Sequence, residues 1–311
     1  MLKLLSSAVI LFATATVATA QLVGLDVNSG TGNWEYVTLN PVSGATTLLN
    51  SFALPDGYAG GSFLTDPSTG SAYLQSGNSL YDLNLASGAV LNVATLDTVI
   101  VGYGLGNGGL VSLDFNSGTG NWEYRNLNPV TGVTTLLNTF TLPDGFASGS
   151  FLTDPSTGSA YLQSGNNLYN LNLASGAIMN ISTPDTMIAA YAFGNGGLVS
   201  LDFNSGTGNW EYRDLNPVTG VTTLLNAFPL PDGYLSSSLL ADPSTGSAYF
   251  QSGNSLYDLS LASGAVSNIS TPDNFMQAIG TVPEPSSLAL ATVGILGLAL
   301  RRVRKGCQTT L

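Results

Sequence analysis

Three copies of one polar segment carry the residues best suited to chemistry. Each copy reads Asn-Ser-Gly-Thr-Gly-Asn-Trp-Glu-Tyr, and an Asp stands two residues before its first Asn. Asp-x-Asn-x-Gly places alternating side-chain oxygens as calcium-binding loops do, although the Glu that follows comes at position ten instead of twelve. An ordinary hairpin loop is the alternative, and we predict no cofactor apart from this candidate Ca²⁺. The candidate calcium ligands are Asp26, Asn28, Asp114, Asn116, Asp202 and Asn204.

Aromatic and acidic side chains recur near these segments. Each Trp of the repeated segment is followed about twenty residues later by Leu-Pro-Asp-Gly and then Tyr or Phe. Such rings and carboxylates on one surface suit stacking on sugars. The alternative is that the Trp residues pack between structural units and that Pro-Asp-Gly forms turns. The candidate ligand residues are Trp34, Trp122, Trp210, Asp56, Tyr58, Asp144, Phe146, Asp232 and Tyr234.

Catalytic chemistry in this chain would depend on carboxylates. The sequence has no His, and its only cysteine, Cys307, lies near the C-terminus. Glycoside hydrolysis needs one carboxylate pair placed asymmetrically about a single bond, and near-identical copies argue against such a differentiated site. We therefore predict no catalytic residues and no enzyme; a carboxylate-dependent polysaccharide hydrolase or lyase is the alternative.

The charge of the central segment excludes one class of partner. Between residues 21 and 282 only Arg125 and Arg213 are basic, whereas eighteen residues are Asp or Glu, so the net charge is −16. Phosphate backbones are bound through Lys and Arg. Nucleic acid is therefore not an expected partner.

The polar segments belong to three tandem units of 88 residues, which fill residues 22–282. A weaker half-period of about 44 residues divides each unit into two. Each half reads as four short strands separated by Gly, Pro, Asn and Asp, for example at 61–65, 72–75, 80–83 and 90–94. Four strands in 40 to 45 residues form one blade of a β-propeller. The sequence predicts an all-β fold, a six-bladed β-propeller built from three double-blade repeats.

The phase of the repeat predicts how the ring closes. The chain enters at the second strand of a blade, at 22–27, and residues 275–281 correspond to a first strand. The last strand should therefore complete the first blade, which removes two exposed sheet edges. Turns such as Tyr81–Gly88, Tyr-x-Leu-x-x-x-Ser-Gly, resemble those of bacterial extracellular propellers of the quinoprotein and YVTN-like kind. That resemblance carries over no cofactor-binding residue.

The N-terminus has the composition of a secretory signal peptide. Lys3 precedes an apolar run over residues 4–17, and small residues follow, so cleavage is expected after Ala18-Thr19-Ala20 and before Gln21. We predict export, with the mature chain starting at Gln21.

The C-terminus combines three elements in order. Pro283-Glu284-Pro285 precedes an uncharged apolar run over 288–300, and a basic cluster of Arg301, Arg302, Arg304 and Lys305 follows. A single membrane helix with cytoplasmic basic residues fits the positive-inside rule. The arrangement resembles the PEP-CTERM sorting signal, and this resemblance implies recognition by an exosortase-like processing enzyme and delivery to the cell surface, in bacteria that make exopolysaccharide.

These inferences give three segments: a signal peptide at 1–20, the propeller at 21–282 and a sorting and anchor segment at 283–311. They predict an exported cell-surface or extracellular-matrix protein, held transiently in the membrane by its C-terminal helix. The expected role is a non-catalytic scaffold or glycan-binding module, with exopolysaccharide as the expected partner. A calcium-stabilised adhesin is a further alternative.

Overall fold

Local turn chemistry divides this chain into strands. The computed structural model describes residues 21–57, 63–106, 108–143, 145, 151–194, 197–230, 239–273 and 276–282. At Asn40–Gly44, for example, the Asn40 side-chain oxygen accepts the backbone N–H groups of Val42 and Ser43, and the N–H of Gly44 donates to the Asn40 carbonyl at 2.8 Å. Gly44 has φ of 77°, a conformation that favours glycine. Turns of this kind separate strands throughout the described residues.

Twenty-four strands of the described residues form six four-stranded antiparallel sheets, the blades. Blade 1 contains β1 (Gln21–Val27), β2 (Trp34–Leu39), β3 (Thr46–Phe52) and β24 (Ala278–Val282). Blade 2 contains β4 (Leu64–Asp66), β5 (Ser71–Ser76), β6 (Ser79–Asn84) and β7 (Val90–Thr95). Blade 3 contains β8 (Ile100–Gly106), β9 (Gly109–Asn116), β10 (Asn121–Leu127) and β11 (Thr134–Phe140).

The other three blades follow the same order from first to fourth strand. Blade 4 contains β12 (Phe151–Asp154), β13 (Ser159–Ser164), β14 (Asn167–Asn172) and β15 (Ile178–Ser182). Blade 5 contains β16 (Ile188–Phe193), β17 (Leu198–Asn204), β18 (Asn209–Leu215) and β19 (Thr222–Phe228). Blade 6 contains β20 (Leu240–Asp242), β21 (Ser247–Ser252), β22 (Ser255–Ser260) and β23 (Val266–Ser270). The predicted six-bladed all-β propeller is confirmed.

The predicted closure is also confirmed. The last strand, β24, pairs antiparallel with β1, and the final pair of this ladder joins Gln21 to Val282. The closing strand runs from Ala278 to Val282 instead of the predicted 275–281. Both ends of the described chain therefore lie side by side in blade 1.

Apolar side chains fill the spaces between neighbouring blades. Strand residues alternate in direction, so each central strand presents one apolar row to the preceding blade and one to the following blade. In blade 3, Leu110 belongs to a cluster with Tyr73 of blade 2, whereas Leu113 belongs to a cluster with Leu162 of blade 4. The described residues form six such clusters, and the core is therefore a ring of inter-blade interfaces.

Hydrogen bonds at the rim reinforce these interfaces. In the fourth strand of each blade, one Asn donates its side-chain N–H to a turn carbonyl of the next blade, at 2.7–2.9 Å. The bond from Asn268 to the Pro41 carbonyl joins blade 6 to blade 1, so the series of bonds closes with the ring. These donors are Asn50, Asn92, Asn138, Asn180, Asn226 and Asn268.

A buried Tyr adds a second bond at alternate interfaces. The hydroxyl groups of Tyr36, Tyr124 and Tyr212 donate to carbonyl oxygens of the following blade at 2.8–3.1 Å. Burial raises the pKa of each of these hydroxyls, so they stay protonated donors. Glycine makes this packing possible, because a Cβ at Gly176 would overlap the ring of Tyr124.

The strand directions define two faces of the ring. The upper face carries the connections from second to third strands, such as 28–33, and those between blades, such as 53–57. The lower face carries the connections from first to second strands, such as Gly106–Gly109, and from third to fourth strands, such as Asn40–Gly44. Gln21 and Val282 lie at the lower face, because they mark the joint between a first and a second strand.

Candidate ligand sites

The three Trp side chains lie at the upper ends of their third strands. Trp34 and Trp122 are 8% and 7% exposed, and Trp210 is half-buried. All three belong to, or pack against, the apolar clusters that join their blades to the next blade. Little ring surface is left for a stacked sugar, and this burial favours the packing interpretation.

Two phenylalanines lie at the upper face beside these Trp residues. The ring centroids of Phe115 and Trp122 are 5.1 Å apart, and those of Phe203 and Trp210 are 5.3 Å apart. Phe115 and Phe203 are 45% and 48% exposed, whereas Val27 takes the equivalent position in blade 1. The sequence pattern does not single them out, because one outward-facing Phe in an alternating strand carries no distinct signal.

Asp56 lies in the connection between blades 1 and 2, where it packs on a neighbouring turn. A Cβ at Gly77 would lie 2.5 Å from the Asp56 carboxylate. The Gly57 N–H donates to the Leu54 carbonyl at 3.0 Å, as in a turn. The equivalent candidates, and the aromatic residue after each turn, lie outside the described residues: Tyr58, Asp144, Phe146, Asp232 and Tyr234.

The calcium candidates divide into turn residues and buried residues, and the three Asn residues form the turns. The Asn116 side-chain oxygen accepts the N–H groups of Gly118 and Thr119, and its side-chain N–H donates to Glu123 at 2.7 Å. Asn28 and Asn204 make the same bonds, to Glu35 and Glu211. In the described part of the chain, no three His, Cys, Asp or Glu residues are grouped to hold a metal ion.

The candidate carboxylates Asp114 and Asp202 are buried, at 3% and 2% exposure. Thr98 donates to Asp114 at 2.5 Å, and Arg125 lies 3.3 Å from Asp114 and 2.5 Å from Glu123. Burial raises the pKa of Asp114, although hydrogen bonds from Thr98 and Ser112 and the Arg125 charge oppose the shift.

The same arrangement recurs in blade 5. Asp202 accepts from Thr186 and lies 3.6 Å from Arg213, which also pairs with Glu211. In blade 1 the place of this Arg is taken by Val37, and Asp26 is 7% exposed. Asp114 and Asp202 therefore each belong to a buried polar network of their own blade and the connection that leads into it.

Within the described part of the chain, two equivalent cavities open at the lower face, whereas the three Trp residues lie toward the upper face. One has a volume of about 580 Å³ and lies over blade 3; the other, of about 710 Å³, lies over blade 5. We call them the blade 3 cavity and the blade 5 cavity. Each lies between an Asp-Pro-Ser-Thr-Gly turn and a short glycine-containing hairpin. The blade 3 hairpin is the turn at Gly106–Gly109, and the blade 5 hairpin includes Gly194 and Gly197.

Both cavities combine one anchored carboxylate with an aromatic ring. In the blade 5 cavity, Asp154 accepts the backbone N–H groups and the hydroxyls of Ser156 and Thr157. Partial burial works against ionisation, but these hydrogen bonds lower the pKa of Asp154 overall. The rings of Tyr161 and Phe193 meet edge to face at a centroid distance of 6.2 Å.

The two cavities differ at two positions of the lining. Leu105 and Asn126 in the blade 3 cavity correspond to Phe193 and Asp214 in the blade 5 cavity. Asp214 is exposed and makes no hydrogen bond or ion pair within the described part of the chain. At the third equivalent position, over blade 1, the hairpin is replaced by the strand ends Gln21 and Val282.

The end of the closing strand and the residues that follow it match a known family model. The family model for the PEP-CTERM protein-sorting motif matches residues 281–305. The chain carries a PEP-CTERM sorting motif. This match confirms the sequence-based interpretation and implies export, sorting to the cell envelope and a processing enzyme of the exosortase type.

The PEP-CTERM motif starts inside the closing strand, because its first matched residues, Thr281 and Val282, pair with Leu22 and Gln21. The core of the motif, the basic cluster and the signal-cleavage residues lie outside the described residues: Pro283, Glu284, Pro285, Arg301, Arg302, Arg304, Lys305, Ala18 and Ala20. Gln21 is the first residue of β1. The described part of the chain contains no helix that meets the length and hydropathy of a membrane span.

Solved structures show the fold of this PEP-CTERM chain and no more. A chain of the nidogen/laminin complex is 14% identical, with a TM-score of 0.59 over 84% of this chain and 97% of that one. A protein of unknown function from Desulfotomaculum acetoxidans is 11% identical, with a TM-score of 0.54 over 84% and 89%. The Cps50 (Swd1) β-propeller domain of Myceliophteria thermophila is 9% identical, with a TM-score of 0.50 over 85% and 90%. No curated protein matches the chain in sequence.

Proposed function

We propose that this protein is a non-catalytic module of the cell surface or extracellular matrix that binds glycans with a repeated, closed scaffold. The observation that carries the proposal is the position of the sorting motif, whose first two matched residues are the last two of the closing strand. A ring that joins its own ends needs no partner to complete its sheets, so it is suited to folding as an independent unit after export.

The chemistry of the described residues supports a binding role over catalysis. The buried carboxylates Asp114 and Asp202 are paired with Arg125 and Arg213, and Asp154 is held by two neighbouring residues. Glycoside hydrolysis needs two carboxyl groups with different protonation states on either side of one bond. Repetition of equivalent sites suits multivalent binding, in which weak contacts add to a high avidity.

The sorting part of the proposal is tested by changing the motif. We expect the chain with Pro283, Glu284 and Pro285 all changed to Ala to keep its precursor mass and stay in the membrane fraction of a host with an exosortase-type enzyme. The parent chain should be processed to a smaller, surface-located form. A variant with Thr309→Ala and Thr310→Ala serves as the matched control. Equal processing of all three chains would refute the sorting role.

The binding part is tested with the exopolysaccharide of the same host. We expect the mature protein to be retained on immobilised exopolysaccharide and to release no reducing sugars from it. Product release that is lost on an Asp→Asn change in one blade would instead support a hydrolase or lyase. Absence of retention would leave the protein a scaffold without glycan contacts.

A further inference from the structure

We propose that the blade 3 and blade 5 cavities of the lower face are the glycan sites, and that they bind sugar units without acidic groups. The inference rests on the proposed glycan-binding function and assigns it a place and a ligand class. Volumes of about 580 Å³ and 710 Å³ fall within the usual range for ligand cavities.

The polar lining of the cavities is fixed before a ligand arrives. Four hydrogen bonds hold Asp154, so its carboxylate is a preorganised acceptor for sugar hydroxyl groups. Its counterpart in the blade 3 cavity is Asp66, which accepts the backbone N–H and the hydroxyl of Ser68 at 3.0 Å and 2.6 Å. Each cavity also has an Asn whose side-chain oxygen shapes the adjoining turn, Asn128 or Asn216.

The apolar lining provides the other half of sugar recognition. Tyr161, Phe193 and Pro217 border the blade 5 cavity, so aromatic and proline surfaces lie beside the anchored Asp154. Sugar rings have one apolar face of C–H groups and a polar rim, and a mixed lining of this kind matches both. In the blade 3 cavity Leu105 takes the place of Phe193, and we expect weaker stacking there.

Charge selects the class of sugar. None of the described residues that line the cavities is Lys or Arg. The blade 5 cavity is lined by the carboxylates of Asp154 and Asp214, and the blade 3 cavity by that of Asp66. The surrounding body has a net charge of −16, so a glycan rich in uronic acids would be repelled. The unpaired Asp214 carboxylate should favour a cationic amino sugar at the blade 5 cavity over the blade 3 cavity, where Asn126 stands instead.

Glycines in the hairpins give a direct way to fill each cavity. A Cβ at Gly197 would meet only the Leu215 carbonyl at 3.9 Å and Asp214 at 4.0 Å, and one at Gly109 would meet only the Leu127 carbonyl at 3.6 Å. These are ordinary contact distances, and neither glycine has a positive φ. Gly109→Leu and Gly197→Leu should therefore block the cavities without loss of the fold.

The experiment is calorimetric titration of the mature protein with three short probes: a neutral gluco-oligosaccharide, a chitosan oligosaccharide and an oligogalacturonate. We expect two sites per chain for the neutral and the amino-sugar probes, one site after Gly197→Leu, and none after both changes. The oligogalacturonate should not bind. A Phe203→Ser variant controls for the upper face and should bind as the parent does.

A second variant keeps the proposal testable if a Leu change reduces folding. Phe193→Leu with Asp214→Asn gives the blade 5 cavity the lining of the blade 3 cavity. The preference for the chitosan probe over the neutral probe should then fall about two- to fivefold, as expected for loss of one exposed charge pair. An unchanged preference would overturn the role assigned to Asp214.

The outcomes separate the site from the function. If the parent binds the probes and the double Leu variant binds them equally well, the cavities are not the site and the glycan-binding function stands. If the parent binds only the oligogalacturonate, the ligand class is overturned. If the parent binds neither the probes nor the host exopolysaccharide, both the site and the proposed binding function fail.

Discussion

The buried hydroxyl of Tyr124 provides a measurable test of how the blades are joined. The side chain is fully buried, and its hydroxyl donates to the Leu173 carbonyl of the next blade at 2.8 Å. Tyr124→Phe removes this donor with little change in side-chain volume. The buried Leu173 carbonyl then loses its hydrogen bond from the hydroxyl. A loss of this kind costs about 1.5 kcal/mol of the free energy of unfolding, or about 3–6 °C in Tm for a body of this size.

The assay is urea denaturation followed by the fluorescence of the three Trp residues. Tyr81→Phe is the matched control, because Tyr81 is half-buried and its hydroxyl has no hydrogen bond within the described part of the chain. The control should change the free energy of unfolding by less than about 0.5 kcal/mol. The equivalent changes at Tyr36 and Tyr212 lie in separate interfaces, so the triple variant should lose about 4–5 kcal/mol.

A result equal to the control would refute the reasoning. If Tyr124→Phe and Tyr81→Phe have the same free energy of unfolding, the bond between blades does not contribute to stability. If the triple variant loses no more free energy of unfolding than Tyr124→Phe alone, the three interfaces do not contribute independently to stability.

The remaining predictions concern charge and the rim. Burial raises the pKa of Asp114 and Asp202 above the ordinary Asp value, so these groups bind a proton more readily in the folded state than in the unfolded state. Thermal denaturation should show stability rising as pH falls from 7 toward about 4, and a flat or falling Tm would contradict this. Arg125→Met removes the cation beside the buried Asp114, and urea titration should show a loss of about 3 kcal/mol in the free energy of unfolding at pH 7. This loss should be smaller at pH 5, and a loss that does not change with pH would indicate an effect of packing alone. Asn138→Ala removes the bond to the Gly176 carbonyl, and should cost about 1 kcal/mol and increase amide exchange at the rim of blade 4, whereas unchanged exchange would count against this bond.

Turn chemistry and periodicity were sufficient to predict the blades. Each strand of blade 2 overlaps its predicted position: 61–65 became Leu64–Asp66, and 80–83 became Ser79–Asn84. The information is local, because Gly, Asn and Asp define each turn within a few residues. Closure followed as well, because the phase of the repeat left one first strand for the end of the chain.

Contacts between blades could not be predicted in this way. The Asn138 side chain donates to a carbonyl 38 residues away, and the sequence around it reads only as a polar position in an outer strand. The lower-face cavities depend on two turns of different length in neighbouring blades, a property of the assembled ring. The repeated Trp segments carry the stronger sequence signal, but the rings of Trp34 and Trp122 are largely buried.

The pairing of Gln21 with Val282 is the contact on which the whole account depends, and cysteine trapping measures it directly. The described body contains no cysteine, so Gln21→Cys and Val282→Cys can be introduced with Cys307→Ser in the mature chain. Directly opposed residues of antiparallel strands have Cα atoms about 4.5–5.5 Å apart, within reach of a disulfide. We predict an intramolecular disulfide under mild oxidation. A control pair at Val27 and Val282 should form none, because Val27 lies at the opposite end of β1 from Gln21, the partner of Val282. Crosslinks only between molecules, or equal trapping of both pairs, would contradict the closed ring.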